Sequence, residues 1–374
     1  MQVKLKKWTE FFLDMYKKFF RYIFLYGLLR TLSKSLYRLD GKIPILVLRV
    51  LYSIGKDRSE RIGIIGLGNQ GFTSIAFFLC LSAKRRISFV VDPSYKAKII
   101  SRKVLKCEYF PSMIEAKKAE KFYGDILYIA SDHNTHAEYA FDASNVFRRI
   151  YVEKPLFVNK NQALLFKRII QRNVELYSGF NRPHTVHFQS MLSNIGKTFS
   201  VSMIINGHFL AKDHWYRDSN QGTRVQGNLT HWIDLSLRLL FAKKDKLNIH
   251  ISLIAGHLDD MCVSLSEGDR LINLLFSANC EPRNGVEEFI HWNSDESIGS
   301  IKNFKEIEIL TKDGKYDFKK SIRKEVGHRE ASLAPLQDSP QPDFIEYLSS
   351  KLSFSIADMY SKKIEKKNFR LIKK

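Results

Sequence analysis

The stretch Arg61-Ile62-Gly63-Ile64-Ile65-Gly66-Leu67-Gly68-Asn69-Gln70-Gly71 decides the fold of this 374-residue chain. A short apolar run ends in G-x-G-x-x-G and passes into a segment of helical spacing, residues 71–82. Glycines in this pattern allow a tight turn, close backbone approach to a pyrophosphate, and close packing of helix on strand. The start of the helix adds free N–H groups and a positive dipole, which favour phosphate. About twenty residues after Gly71 the next apolar run ends at Asp92, where a carboxylate suits an adenosine ribose. It would repel a 2′-phosphate, so NAD is expected over NADP; Lys96 and Lys98 keep NADP as the lesser alternative. Gly66, Gly68, Asn69, Gln70, Gly71 and Asp92 are thus candidate cofactor ligands. A glycine turn without a ligand is the bland alternative.

Outward from this motif, residues 62–65, 87–91, 126–130, 150–152 and 174–178 read as buried parallel strands, with helical segments between them. After Asn181 the texture changes to strand-like runs at 199–205, 247–254, 261–265, 271–277 and 304–310, interrupted by one helix near 231–241. The expected fold class is α/β: an N-terminal Rossmann doubly wound parallel sheet plus a C-terminal α+β domain with a mostly antiparallel sheet. The boundaries expected are 1–60 for a basic aromatic extension, 61–180 for the nucleotide-binding domain, 181–340 for the substrate and oligomerisation domain, and 341–374 for a helix and basic tail.

The net charge of +21 favours anionic partners of some kind. No nucleic-acid reader motif accompanies it, so nucleic acid is not an expected partner. Four widely spaced cysteines without a Cys-x-x-Cys pair argue against a disulfide framework and against a metal site. In the first 58 residues, charges recur too often for a membrane span of about 20 apolar residues. One or two basic, aromatic helices remain there. They would lie on an anionic membrane surface, or pack on the protein's own domain or on another subunit.

Four further constellations carry chemistry. Ser131, His133 and His136 follow the fourth parallel strand at its carboxyl end, where doubly wound sheets bind ligands. They are expected to line the nicotinamide side, although capping or local backbone contacts would equally account for His136. Glu153-Lys154-Pro155 ends the next strand. Pro155 excludes helix at Lys154 and restricts where the amine points. A lysine near a nicotinamide cation is pushed toward its neutral form, which suits proton exchange with a hydroxyl; pairing with Glu153 or with a phosphate is the plain alternative. On the interrupting helix, His231 and Asp234 are three apart and share a face. His231 is a candidate for sharing the substrate proton, with Asp234 orienting its ring or shaping the pocket, against a purely structural histidine. The stretch from Asp213 to Arg217 reads as a substrate-side loop, where Arg217 or Arg224 would receive a phosphate or carboxylate.

The motifs Gly66 to Gly71, Ala130 to His136, Glu153-Lys154-Pro155, Gly179-Phe180-Asn181-Arg182 and His231-Trp232-Ile233-Asp234 occur in the order seen in the glucose–fructose oxidoreductase/inositol dehydrogenase family (Gfo/Idh/MocA), which the chain resembles from about Arg61 onward. The resemblance implies an NAD(P)-dependent oxidoreductase acting on a sugar or nucleotide-sugar carbon, with Lys154 and His231 as catalytic residues. Beside them, Glu153 and Lys154 would face the cofactor. Arg182, His214, Trp215, Arg217, Arg224, Asn228 and Asp234 would face substrate. A homodimer or homotetramer, a cytoplasmic location at or near the inner face of the cytoplasmic membrane, and a role in cell-surface polysaccharide synthesis accord with it. One position departs. Many members place an aspartate four residues before the histidine, where this chain has Gly227; Asn228, Thr230 or His214 would replace it, or Lys154 and His231 act alone. A catalytically silent NAD-binding scaffold at the membrane is the alternative function.

Overall fold

The structure, a computed structural model, describes residues 19–53, 57–242, 244–256, 259–282, 285–324, 326–337 and 344–372. Strands β1 (Asp57–Ile65), β2 (Arg85–Val91), β3 (Glu108–Phe110), β4 (Gly124–Ile129), β5 (Phe147–Val152) and β6 (Glu175–Ser178) form one sheet in the order β3-β2-β1-β4-β5-β6. Every neighbouring pair in it is parallel. Its strands are apolar because helices cover both faces, giving one core around Ile62, Ile64 and Phe72 and another around Leu127, Ile129 and Ile150. The chain leaves β3 at one edge and returns at β4 beside β1. That reversal opens the crevice between the carboxyl ends of β1 and β4.

A second sheet contains β7 (Phe199–Asn206), β8 (Lys246–Ala255), β9 (Met261–Glu267), β10 (Arg270–Ser277), β11 (Glu287–Ser294), β12 (Ser297–Lys302), β13 (Glu306–Thr311), β14 (Tyr316–Lys320) and β15 (Lys366–Ile372). The order is β14-β13-β12-β11-β7-β10-β9-β8-β15, antiparallel except for the pair β7 and β10. Strict alternation along β7, β8 and β10 buries one face against the helices Thr230–Phe241 and Ile345–Lys362. The fold class is the one expected: a Rossmann-type parallel sheet joined to a mostly antiparallel α+β unit.

Strands β3, β11, β12 and β14 are not among those expected, and the tail departs from the reading of the sequence, whereas the extension takes one of its two expected arrangements. The terminal helix runs Ile345–Lys362, and the basic tail beyond it is not a loose end: β15 pairs with β8 and closes that edge of the sheet. At the other end, helices Leu28–Arg38 and Lys42–Leu51 pack on the first domain. Tyr37 and Tyr52 stack on Phe72 at 4.9 and 5.1 Å between centroids, and Leu48 is fully buried. Arg30 donates from Nε to Thr73 O (3.2 Å) and from Nη2 to Ser74 Oγ (3.1 Å). Packing on the protein's own domain therefore accounts for the inner face of these helices. The basic start, Lys4 to Trp8, lies outside the described residues. Among the described residues, no helix is long and apolar enough to cross a membrane.

Candidate active site

The glycine loop sits in the crevice because only glycine fits there. Gly66 has φ +84°, and a Cβ on it would lie 2.5 Å from both Ala130 O and Ser131 N. A Cβ on Gly71 would meet Gly66 O at 2.0 Å, so helix and strand touch through this glycine. Gly68 is different: nothing lies within 4 Å of where its Cβ would stand, which leaves the backbone open to a ligand. Asp92 braces the loop, accepting from Leu67 N (2.7 Å) and Ser94 N (2.8 Å). Each carboxylate oxygen keeps further acceptor capacity for ribose hydroxyls. Beside it, Lys96 is paired with Asp40 of the extension at 3.1 Å. This cradle and its carboxylate fit a dinucleotide.

Glu153 lies beneath the loop. It accepts from Gln70 Nε2 (2.9 Å) and from Tyr151 OH (3.0 Å), and burial raises its pKa against these bonds. Lys154, whose peptide to Pro155 is cis, donates from Nζ to Gly227 O at 2.7 Å. Its pKa falls to about 8, chiefly through burial; Glu153 opposes the shift, and Arg182 and Arg224 add to it. The amine is thus poised to exchange a proton near neutrality. His133 takes a structural role: its N donates to Gln221 Oε1 (3.0 Å) and its Nδ1 meets Gln221 O (2.8 Å). Burial, with His136 and Lys154, lowers its pKa to about 3, so it is neutral.

His136 differs from expectation. It is fully buried, and its ring nitrogens face the backbone carbonyls Pro155 O (2.7 Å) and Ser131 O (3.0 Å) rather than open space. It ties the two loops together. Ser131 contacts Thr135 Oγ1 at 2.7 Å and turns the same loop.

His231 opens the helix Thr230–Phe241 and is buried with Nδ1 unpartnered among the described residues. Burial first, then Arg182 and Lys154, hold its pKa well below the usual histidine range. An unsatisfied buried ring nitrogen is costly unless a ligand meets it. Asp234 does not orient this ring. Its oxygens accept from Arg238 Nε (2.9 Å) and Ser349 Oγ (2.6 Å), and Arg238 reaches on to Glu346 (2.6 Å). The carboxylate pins the terminal helix, since the i+4 arginine outcompetes the i−3 histidine for it.

Residues 60–178 match the model of an oxidoreductase family with an NAD-binding Rossmann fold, GFO_IDH_MocA. Over this stretch the chain is similar to the NAD-binding domain of those oxidoreductases. Solved structures of the same overall fold include a dehydrogenase from Clostridium difficile (TM-score 0.64, 20% identity, 82% of this chain and 100% of that one). A Gfo/Idh/MocA oxidoreductase from Vibrio cholerae follows (0.62, 16%, 82% and 99%). GenD2 of gentamicin A biosynthesis, solved with NAD, is similar in the same way (0.63, 16%, 84% and 98%). At these identities the likeness establishes the fold. No curated protein matches the chain significantly.

The substrate-side residues are less free than the sequence suggests. Arg217 and Arg224 share the carboxylate of Asp259, at 2.9 and 3.4 Å, so the anion they meet is the chain's own. Arg224 also donates to Asn228 Oδ1 (2.8 Å) and to His208 O. His214 Nδ1 accepts from Tyr216 N at 3.2 Å and so shapes the loop, while Trp215 stands half exposed, 5.6 Å from the His133 ring. Arg182 pairs with buried Glu288 and lies 4.4 Å over Trp232.

Tyr216 was not singled out by the sequence. A Cβ on Gly227 would stand 1.7 Å from its hydroxyl, so the tyrosine fills the room that any larger residue would need. That hydroxyl is buried and, among the described residues, has no hydrogen-bond partner; burial pushes its pKa up, so it stays protonated. Only the neighbouring aromatic run, Trp215-Tyr216, hinted at it.

Proposed function

We propose that the protein transfers a hydride between NAD and a hydroxyl-bearing carbon of a sugar or nucleotide sugar. The observation that carries this reading is the convergence of Lys154, with Nζ 2.7 Å from Gly227 O, on the turn that leads into His231. NAD, when bound, would accept or return the hydride. The chain's own residues manage the proton. In oxidation, neutral Lys154 takes the hydroxyl proton; in reduction, its ammonium form returns it. His231, held neutral by burial, offers a ring nitrogen as a second polar contact to the reacting oxygen. Gly66 to Gly71 and Asp92 hold the dinucleotide, and a carboxylate at 92 favours NAD over NADP.

The test is Lys154→Ala, assayed for NADH formation over a broad panel of sugars and sugar nucleotides. Loss of turnover with NAD affinity retained supports the assignment; unchanged turnover sinks it. NAD binding by the native protein without NADH from any substrate would instead favour a silent, membrane-associated scaffold.

We also infer that the extension seats the protein on an anionic membrane surface, at the cytoplasmic face, where cell-surface polysaccharide is assembled. Ile43, Leu46, Val47 and Val50 form an exposed stripe at i, i+3, i+4 and i+7, flanked by exposed Lys42 and Arg49. Salt-sensitive sedimentation with anionic but not neutral vesicles tests it. The uncovered sheet face, carrying Ile204, Leu271 and Leu275, is the surface we assign to a second copy in a homodimer or homotetramer. A monomeric mass in solution would rule this out.

A further inference from the structure

The extension and the second domain enclose a cavity of about 500 Å³ that the reading above does not use. Its lining carries Arg30, Arg182, Arg323, Lys324 and Arg329. Three described carboxylates bear on these cations, Glu287 among them through its field on Lys324. Buried Glu288 is shared between Arg182 and Lys324, the latter at 2.5 Å, and Glu330 faces Arg329 at 3.6 Å. Arg30 spends its donors on neutral groups, Thr73 O and Ser74 Oγ. Arg323 has no carboxylate partner among the described residues. Its guanidinium packs over Gly27, where a Cβ would come within 2.7 Å of Nη1. Gly27 has φ +80° and breaks the helical path at this point, so the extension is shaped to admit that guanidinium.

The histidines of the cavity add no negative charge. His208 meets Glu281 at 2.7 Å. His328 is held well below the ordinary histidine range by burial, with Arg30 and Arg182 next in weight. Behind Arg30, burial and the neighbouring Arg30 and Arg38 lower Lys34 to about 7. Like charges crowded in a low-dielectric space are unfavourable until an anion joins them. Arg182 ties the cavity to the chemistry: it lines the cavity and lies 4.4 Å over the ring of Trp232, the residue after His231.

We propose that this cavity holds the diphosphate of the substrate, so that the substrate is a sugar carried on a diphosphate and the N-terminal extension completes its site. Guanidinium groups suit this role, since each presents two parallel donors to phosphate oxygens. The proposal rests on the hydride-transfer reading for the position of the sugar, but the anion site stands on the cavity alone.

The experiment is calorimetric titration of the full-length protein, saturated with NADH so that the glycine loop is filled, with pyrophosphate, inorganic phosphate, uridine diphosphate and sulfate. Pyrophosphate and uridine diphosphate are expected to bind at least about tenfold more tightly than phosphate or sulfate, with affinity falling as salt rises. Arg323→Ser and Arg329→Ser, both at exposed positions, should each weaken diphosphate binding about tenfold while leaving NADH affinity and the melting temperature unchanged. Equal binding of sulfate and pyrophosphate, or diphosphate binding indifferent to both substitutions, overturns the proposal. Turnover of a sugar diphosphate unaffected by Arg323→Ser would overturn it while leaving hydride transfer intact. Diphosphate binding without turnover of any sugar would do the reverse.

Discussion

The two walls of the site are built by different rules. On the nucleotide wall, each group comes from a strand end and the few residues after it. Gly66 and Ala130 meet because β1 and β4 are neighbours, and Glu153 reaches Gln70 because β5 comes next in the sheet. On the substrate wall, the side chains are set by partners far away in sequence. Arg182 finds Glu288, Asp234 finds Ser349, and Arg224 finds Asp259. The first wall is therefore encoded by spacing, and the second by long-range pairing.

That contrast can be broken experimentally, and the largest effect should come where the walls meet. Lys154 stands on the first wall and bonds to the second, so Lys154→Ala should cut kcat by about 10² to 10⁴-fold. NAD affinity, measured by NADH fluorescence titration, should change little. Asp234→Ala should behave in the opposite way. It leaves Arg238 with Glu346 alone and should cost about 3–5 kcal/mol of stability in denaturant unfolding, the usual penalty for breaking a buried pair. The pH profile of the remaining activity should be unmoved; a shifted profile would mean that Asp234 does reach His231.

Gly227→Ala sharpens the comparison at one carbon. The added methyl overlaps the Tyr216 hydroxyl and should cost about 1–3 kcal/mol as the ring is displaced. A crystal structure of the variant with Tyr216 unmoved would contradict this. The smallest effect on stability should come from Tyr216→Phe. The lost hydroxyl has no partner among the described residues, so the melting temperature should hold within the range of a neutral substitution, under about 0.5 kcal/mol. Any change would then appear in turnover, because a hydroxyl without such a partner affects only what binds beside it.

The same contrast explains what was legible in the sequence. Strands of the parallel sheet are buried on both faces, so their apolar runs stand out; only the three-residue β3 is too short to register. In the second sheet, β11 was hidden because a core position is occupied by Glu288, which is fully buried and compensated by Arg182 and Lys324. β15 was hidden by its lysines and arginine, which suit an edge strand but read as a solvated tail. In the site, the glycine loop and Lys154 were legible from local order. Spacing placed His136 and Asp234 near the chemistry, but could not show that Pro155 O, Arg238 and Ser349 already claim them. Tyr216 was hidden because its significance depends on what Gly227 lacks.

The central claim is that Lys154 exchanges the proton at a pKa lowered by burial. Burial disfavours its charged form, so the fraction able to act as a base rises with pH through about 8. The most direct measurement is kcat/KM for NADH formation against pH, using the sugar nucleotide from the panel with the highest turnover. The account predicts a tenfold rise per pH unit below about 8, a plateau above it, and loss of this limb in Lys154→Ala. A flat profile, or one whose rising limb survives the loss of the lysine, would contradict it.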